Sequence, residues 1–458
     1  MNPSAPRGTV ANARAEATTQ AGADAGPEPR PWKHAAYALV GLGTFWLVTY
    51  PLANWLASRR AHVGSIVFGW EQHIPFIACS IIPYCSIDVL YVISPFVCTT
   101  RAELGTHVRR LLTTQIIAVS CFILFPLRFT FVRPETEGVP RLLFEALGSV
   151  DQPYNQAPSL HIALLVILWE FYLRHVPRAM RWPLHLWFAT IGVSVLTTYQ
   201  HHFFDVPTGA LLGFFCLWLW PSTGIGPWAL WRVTYSVRRL VVAAGYLAGA
   251  VAFALLALWS GPAGWMLFWP AISLLLVTVN YVALGPDGFQ KSADGRMSAA
   301  GRALLAPYLI GVWLNARLRT RQDRTPVLIG DDVWLGRIPS RRVARAFSAV
   351  VDLCAELPAP REHTVVHAFP LLDRVAPDPA RLKSAAACIE RARAGGAVLV
   401  CSALGYSRAP AAIAAWLVVT GRTPDVAAAI RCVATARPRI AIDHAGGKAI
   451  AIAAGTLP

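Results

Sequence analysis

The chain carries Ala157-Pro158-Ser159-Leu160-His161 and, forty residues on, Gln200-His201-His202-Phe203-Phe204-Asp205. Each stretch lies at the edge of a strongly apolar run. Two histidines and a carboxylate at the ends of apolar helices are what a phosphohistidine reaction needs. One imidazole attacks phosphorus, one protonates the leaving oxygen, and the carboxylate orients the attacking ring. His201 and Asp205 are four positions apart, the spacing that puts two side chains on one helix face. His202 lacks that spacing. A lone histidine at a helix end usually packs or snorkels, but ionisable groups in several matched motifs within apolar surroundings reverse that expectation.

Outward from these stretches, apolar runs long enough to span a bilayer cover about 35–57, 74–98, 111–131, 158–175, 183–200, 205–221, 241–260 and 263–284. They predict eight spans, the first six forming a catalytic core. The composition agrees, with 55% hydrophobic and only 14% charged residues. A net charge of +16 would suggest nucleic acid in a soluble protein. Here the basic residues fall between apolar runs, no nucleic-acid motif is present, and a nucleic-acid partner is excluded. The nine cysteines are scattered, with neither metal-site nor disulfide-framework spacing. No motif calls for a metal or cofactor. Residues 1–30 are rich in Ala, Pro, Gly, Thr and Arg, and read as a disordered tail without the apolar core of a signal peptide.

The loops orient the chain. Arg101, Arg109 and Arg110, then Arg174, Arg178 and Arg181, then Arg232, Arg238 and Arg239, and finally Lys291, Arg296 and Arg302 fall on one side. Arg59 and Arg60 are the exception. The positive-inside rule makes the N-terminus cytoplasmic and places loop 132–157, His161 and His201 at the outer face. The transmembrane domain is expected over 31–285. Residues 286–324 are a linker whose segment 303–319 reads as an amphipathic interfacial helix. From 325 to 458, short β-like runs alternate with Ala-rich helical stretches, as in a small cytoplasmic α/β domain. Ala/Arg/Gly-rich usage suits a high-GC bacterium, hence an inner-membrane location.

Arg133-Pro134 follows the third apolar run, and a guanidinium there can fork onto a phosphate. With Pro158-Ser159-Leu160-His161 and His201 to Asp205, it resembles the three-part signature of the type-2 phosphatidic acid phosphatase superfamily. The wording is most similar to the branch of inositol phosphorylceramide and sphingomyelin synthases. The resemblance covers roughly 75–221. Pro126 stands where the superfamily has a Lys, with Arg128 nearby; Leu160 replaces a Gly; and Ser194-Val195 replaces Ser-Arg. These departures suit head-group transfer better than plain phosphatidate hydrolysis. The resemblance implies His201 as nucleophile, Asp205 as its orienting partner and His161 as acid then base. Arg133 and Ser159 would bind the phosphate. It implies a membrane phospholipid donor and a lipid (sphingolipid or diacylglycerol) or water as acceptor. Asp88, inside the second run, either lines the site or pairs with a buried partner.

Near the C-terminus, Ser402-Ala403-Leu404-Gly405-Tyr406-Ser407-Arg408 lies between a β-like run, 397–401, and a helical run, 409–419. A strand, a Gly-containing loop, an Arg and a helix start make a phosphate cradle. The segment resembles the dual-specificity and tyrosine phosphatase loop of Cys, five residues, then Arg. Val333–Pro339, Val350–Leu353 and Phe369–Asp373 extend the resemblance over about 325–445. It implies Asp373 as general acid, with Arg408 and Gly405 binding a phosphorylated ligand. The nucleophile position, however, is Ser402; Cys401 is one residue early, and Ala409 replaces the usual Ser or Thr. A hydroxyl without a neighbouring base is a poor nucleophile beside an activated thiol. Three readings stay open: a pseudophosphatase that still binds phosphate, an engineered Cys-to-Ser trapping substitution at 402, or a bulged loop in which Cys401 reacts.

The expectation is therefore a polytopic α-helical membrane domain joined to an α/β dual-specificity-phosphatase-like domain. Its function would be a lipid phosphotransferase or lipid phosphatase acting through phosphohistidine at the outer face. The alternatives are a two-sided lipid phosphatase and a phospholipid- or phosphoprotein-sensing pseudophosphatase on a membrane scaffold.

Overall fold

The computed structural model describes residues 28–149, 151–360 and 364–457. Of the tail expected over 1–30, residues 1–27 lie outside this description. The chain forms two compact units. Residues up to Gly226, with Leu258–Met266, make the first, and Pro227–Ala257, with Leu267–Pro458, make the second.

The first unit is helical: α1 (Trp32–Ser58), α2 (Ile81–Val97), α3 (Arg101–Leu124), α4 (Gly138–Gly148), α5 (Leu160–His175), α6 (Arg181–Thr197) and α7 (Asp205–Leu219). α5 is the buried centre, and its Ile162, Leu165, Leu168 and Phe171 pack with Ile81 and Ile87 of α2 and with Phe188 and Ile191 of α6. α7 lies very close to α5 because Gly209 and Gly213 face it. A Cβ on Gly209 would stand 2.5 Å from the Ser159 carbonyl, and one on Gly213 would stand 2.7 Å from that of Ala163. Small residues four apart let two helix backbones approach in this way. The approach sets the first residue of α7, Asp205, beside the cap of α5, where the Ser159 N–H donates to the Asp205 carbonyl.

The second unit begins with α8 (Val237–Trp259) and α9 (Phe268–Val279), the latter prolonged by a π turn and a 3-10 turn to Phe289. α10 (Ala299–Arg319) follows, capped by Ser298, whose hydroxyl accepts from the Gly301 N–H. A five-stranded sheet comes next: β1 (Val327–Gly330), β2 (Val333–Arg337), β3 (Ala349–Cys354), β4 (Val365–Leu371) and β5 (Val398–Ser402), with α11 (Pro379–Arg393) between β4 and β5. α12 (Arg408–Val419), α13 (Val426–Ala436) and α14 (His444–Ala453) complete it. The order is β1-β2-β5-β3-β4, with β5 central and parallel to β2 and β3. Parallel strands covered on both faces read as continuous apolar runs, as β5 does over Val398–Cys401 and β3 does apart from Asp352. α12 is buried along nearly its whole length, with Trp416 at its core.

Every predicted apolar run contains a helix, but the third is shifted: its helix is Arg101–Leu124, which takes in Arg101, Arg109 and Arg110 expected in a loop and leaves 125–131 non-helical. Five helical segments are long and apolar enough to cross a membrane: Trp32–Ser58, Ala78–Val97, Arg101–Leu124, Val237–Trp259 and Trp265–Phe289. α5, α6 and α7 have 16, 17 and 15 residues and fall short of that length. The units also divide differently from the predicted boundaries. α8 and α9, expected in a membrane domain over 31–285, belong with the sheet. The reason is polar anchoring: Arg238 Nε donates to Arg374 O (2.7 Å) and its guanidinium pairs with Asp443. Tyr281 Oη donates to Asp373 O (3.0 Å), and Arg381 forks onto Asp287 (2.7–2.8 Å). The expected linker, 286–324, is equally built in. Lys291 Nζ is fully buried on Asp352 Oδ2 (2.5 Å), Cys354 O (2.6 Å) and Leu357 O (2.6 Å).

Candidate functional site

The first unit brings His161, His201, Ser159 and Asp205 together. His201 lies in the turn between α6 and α7, after Tyr199 in the left-handed region (φ 55°). The His201–Asp205 pair therefore forms around a turn, not along one helix face as its spacing suggested. His201 Nδ1 stands 3.2 Å from Asp205 Oδ2, and Nε2 stands 3.1 Å from Ser159 Oγ. A carboxylate acceptor on Nδ1 keeps the proton there and leaves the Nε2 lone pair outward. Asp205 Oδ2 also accepts from the His202 N–H (3.1 Å) and, with the Gln156 amide in the orientation its neighbours demand, from Gln156 Nε2 (2.9 Å). The carboxylate is thus pinned from three directions. Ser159 caps α5, its Oγ accepting from the Ile162 N–H (3.2 Å), so its hydroxyl hydrogen is left for His201 or an incoming oxyanion.

His161, the second residue of α5, stacks on Tyr84 (centroids 4.0 Å apart, 15° between planes), and its buried Nε2 has no partner. His161 and His201 line one cavity of about 440 Å³, a size that suits a ligand site. Leu39, Trp46 and Leu164 make its apolar wall, and Tyr50, Asp88 and Asp151 bring polar groups. Asp88 thus lines the site. Arg133 is not on this wall: its guanidinium lies 4.3 Å over the Phe144 ring, and it interacts electrostatically with Tyr84 and Asp151 of the wall. Its buried Nε has no hydrogen-bond partner. Arg128 is exposed and does not stand in for the missing Lys.

His202 is excluded as attacking base or nucleophile by its contacts. Nδ1 lies 3.0 Å from Glu71 Oε2, and Nε2 accepts from the Thr130 N–H (3.2 Å). Glu71, buried between α1 and α2, also accepts from Phe203 N (3.0 Å) and Phe68 N (2.7 Å). The sequence reading missed Glu71, Gln156 and Asp151. No local signal marks them, although Glu71 is a carboxylate among aromatic residues between two apolar runs.

In the second unit, the Ser402–Arg408 loop leaves the end of the central strand and enters α12. Gly405 has φ +73°, and a Cβ there would stand 2.4 Å from Gly336 O, so only glycine fits. Ser402 Oγ accepts from the Gly405 N–H (3.2 Å), and no carboxylate or imidazole is recorded bonding it among the described residues. Strand alternation puts Cys401 on the opposite face, in a core with Ile338, Val350 and Leu399. Burial, with Asp352 adding to it, pushes the Cys401 thiol well up. This removes the bulged-loop reading in which Cys401 reacts, because a buried neutral thiol is neither exposed nor activated.

Arg408 is buried and engaged. Its Nη1 donates to Glu356 Oε2 (2.7 Å) and Leu371 O (2.8 Å), and its Nη2 donates to Glu356 Oε1 (2.6 Å). Asp373 Oδ1 lies 3.3 Å from Nη2. The structure thus brings Ser402, Gly405, Arg408 and Asp373 around one loop, and adds Glu356, which the sequence reading had not singled out. A cavity of about 310 Å³ opens beside the loop, lined by Ser407, Arg374, Arg238 and Ala441 among others.

No family model matches the chain, and no curated protein matches it. Solved structures similar to part of it include human DUSP28, at 28% identity over 28% of this chain and 96% of that one, with a TM-score of 0.27. PTPMT1 is 17% identical over 29% of this chain and 95% of that one (TM-score 0.27). A mouse putative dual specificity phosphatase complexed with zinc tungstate is 23% identical over 29% and 89% (TM-score 0.27).

Proposed function

We propose that the first unit is a lipid phosphatase or head-group phosphotransferase working through His201. The observation that carries this reading is the shared cavity: His161 and His201 both line it, with Asp205 and Ser159 on the two nitrogens of His201. In this mechanism Nε2 of His201 attacks phosphorus as the P–O bond to the leaving alcohol breaks. His161 gives that oxygen its proton. Asp205 stabilises the charge left on the imidazole. An acceptor hydroxyl, from a lipid or from water, then loses its proton to His161 and attacks the phosphohistidine, which frees His201. Ser159 turns its hydroxyl from Nε2 to a phosphate oxygen, and Arg133 supplies positive charge near the site. Phospholipid is the donor because the cavity is largely apolar and the neighbouring helices are of membrane length. The site would face the outer side of a bacterial inner membrane, as the distribution of basic loops suggests.

The test uses purified full-length protein and its His201→Ala variant, with a head-group-labelled phospholipid and diacylglycerol or ceramide as acceptor. Label appearing on the acceptor lipid, and absent with the variant, establishes a transferase. Release of water-soluble phosphate or phospho-alcohol establishes a hydrolase. Activity that survives His201→Ala sinks the mechanism.

For the Ser402 loop the reading is phosphate binding without turnover, supported by a serine hydroxyl whose recorded bond is to a backbone N–H. A two-sided lipid phosphatase requires a thiol at 402, and restoring it separates the two readings.

A further inference from the structure

A cavity of about 700 Å³ lies between α10 and the loops that follow β2 and β3, apart from both sites above. Arg296, Arg302, Arg317 and Arg341 line it, together with Trp313 and the Pro358–Pro360 turn. Four guanidiniums around one cavity is a large concentration of like charge. Arg296 has a loose pair with Asp294 (3.6 Å), and Arg341 has its own contacts. Arg302 and Arg317 have no ion-pair partner among the described residues. Arg317 instead stands 5.6 Å over the Trp313 ring, and partial burial disfavours its charge. The excess extends further: Arg317, Arg324 and Arg437 all oppose the charge of Arg337. Arg302 and Arg317, without a carboxylate partner among the described residues, leave positive charge in the cavity that an anion can take up.

The surroundings say which anions. α10 is pinned alongside α9, part of a membrane-length segment, where Trp269 Nε1 donates to Ala303 O (3.2 Å) and the Tyr308 N–H lies 3.4 Å from Ser273 Oγ. The outer stripe of α10 exposes Ile310 (65%), Trp313 (50%), Leu314 (49%) and Leu318 (44%). An apolar stripe flanked by arginines, beside a segment long enough to cross a bilayer, is the layout of an interfacial helix. Arg302 and Arg317 lie about 22 Å apart along α10 at 1.5 Å per residue, too far for one phosphate to bridge. We infer that this cavity is a groove for the phosphate head groups of anionic phospholipids, at least two side by side, which seats α10 on the membrane surface.

The experiment is photolabelling of the full chain in phosphatidylcholine nanodiscs doped with a phosphatidylglycerol probe carrying a head-group diazirine. Label should concentrate on the peptide holding Arg302 to Arg319. It should fall about 10- to 30-fold in Arg302→Gln/Arg317→Gln, since each basic residue contributes a few-fold to anionic-lipid affinity. The Arg302→Lys/Arg317→Lys variant should keep it within a few-fold, and a matching phosphatidylcholine probe should label this peptide weakly. Melting temperature and His201-dependent turnover, unchanged in both variants, show that the fold is intact. Label that survives the Gln double variant overturns the site. Label abolished by equimolar glycerol phosphate overturns the lipid assignment in favour of a soluble phosphorylated ligand.

Discussion

Replacing Lys291 by methionine should loosen the sheet far more than a surface lysine would, and in a pH-dependent way. Both Lys291 and Asp352 side chains are 0% exposed, and the ammonium makes three bonds of 2.5–2.6 Å, one to Asp352 and two to the Cys354 and Leu357 carbonyls. Methionine fills the space but leaves a buried carboxylate unpaired, which costs about 3–5 kcal/mol. The readout is hydrogen exchange of the full chain. Amides of β3 and β5 that open with the sheet should exchange roughly 150- to 5,000-fold faster. Burial already pushes the Asp352 carboxyl up, against the pull of Lys291, while burial, the largest single influence on Lys291, opposes its charge and is outweighed only by Asp352 and the neighbouring Cys354 and Cys401 acting together. Without the lysine the carboxyl rises further. A carboxyl raised in the folded state is least costly below its unfolded pKa, and its cost grows as pH climbs toward the folded value. The deficit relative to wild type should therefore shrink from about pH 8 to about pH 5. Lys291→Met/Asp352→Asn should recover much of the loss, since the Asn oxygen still accepts from the Cys354 N–H, as Asp352 Oδ1 does at 2.8 Å. A change under about tenfold in the single variant, or a double variant no better than the single, would refute the argument that unpaired buried charge sets the cost.

Four other outcomes are expected. Asp205→Asn should lower lipid phosphate transfer by about 10²–10⁴-fold with little change in substrate binding, measured as kcat against KM, because it loses the tautomer-fixing acceptor on His201. Gly209→Leu should lower melting temperature and turnover together, because its side chain meets the Ser159 carbonyl and overpacking costs about 1–3 kcal/mol or more. Ser402→Cys should create hydrolysis of a soluble aryl phosphate, with a thiol titrating at about pH 4–7 because it sits at a helix N-terminus beside Arg408; a variant that alkylates only above about pH 8 would show an unactivated loop. Asp373→Asn should tighten tungstate binding about two- to five-fold by isothermal calorimetry, since a half-exposed carboxylate competes for Arg408 with only modest energy.

The parts of this chain that were legible are those whose causes are local. The run from Val398 through Gly405 to Val419 reads as strand, loop and helix because apolar β-branched residues, a glycine and an Ala-rich stretch follow one another, and the structure has those elements at Val398–Ser402 and Arg408–Val419. The eight apolar runs likewise each contain a helix. What stayed hidden depends on distant partners. Glu71 reaches His202 across 131 positions, and Lys291 reaches Asp352 across 61. No spacing rule marks such pairs. The same limit placed α8 and α9 with the sheet unit: their apolar faces look like any span, and the polar contacts of Arg238, Tyr281 and Asp287 that join them to this unit reach distant partners. His201 and Asp205 have helical spacing, yet the turn after Tyr199 makes the contact, because the α7 backbone begins only at Asp205.

The two sites proposed to handle phosphate are opposite in what they hold fixed. At Arg408 four of five N–H groups are directed at protein acceptors: two at Glu356, one at Leu371 O and one, at 3.3 Å, at Asp373. Nε–H is not bonded by any described residue. An entering phosphate that takes Arg408 in a two-pronged grip uses Nε and must take the second Nη2 hydrogen from Asp373, because Glu356 is buried and bound twice. Asp373 is 30% exposed and holds by the longest contact, so it would be the group to yield. In the proposed reading, anion entry and release of the acid candidate would then be one event, with no activated nucleophile waiting for it. At His201 the carboxylate is the immovable part, held by His201, His202 N and Gln156, and the free element is the Nε2 lone pair, capped only by a serine hydroxyl that can rotate away. A mobile carboxylate without a nucleophile is an arrangement for binding, and a fixed carboxylate behind a free imidazole is one for bond-making. That asymmetry is why chemistry is assigned to the helical unit and recognition to the sheet.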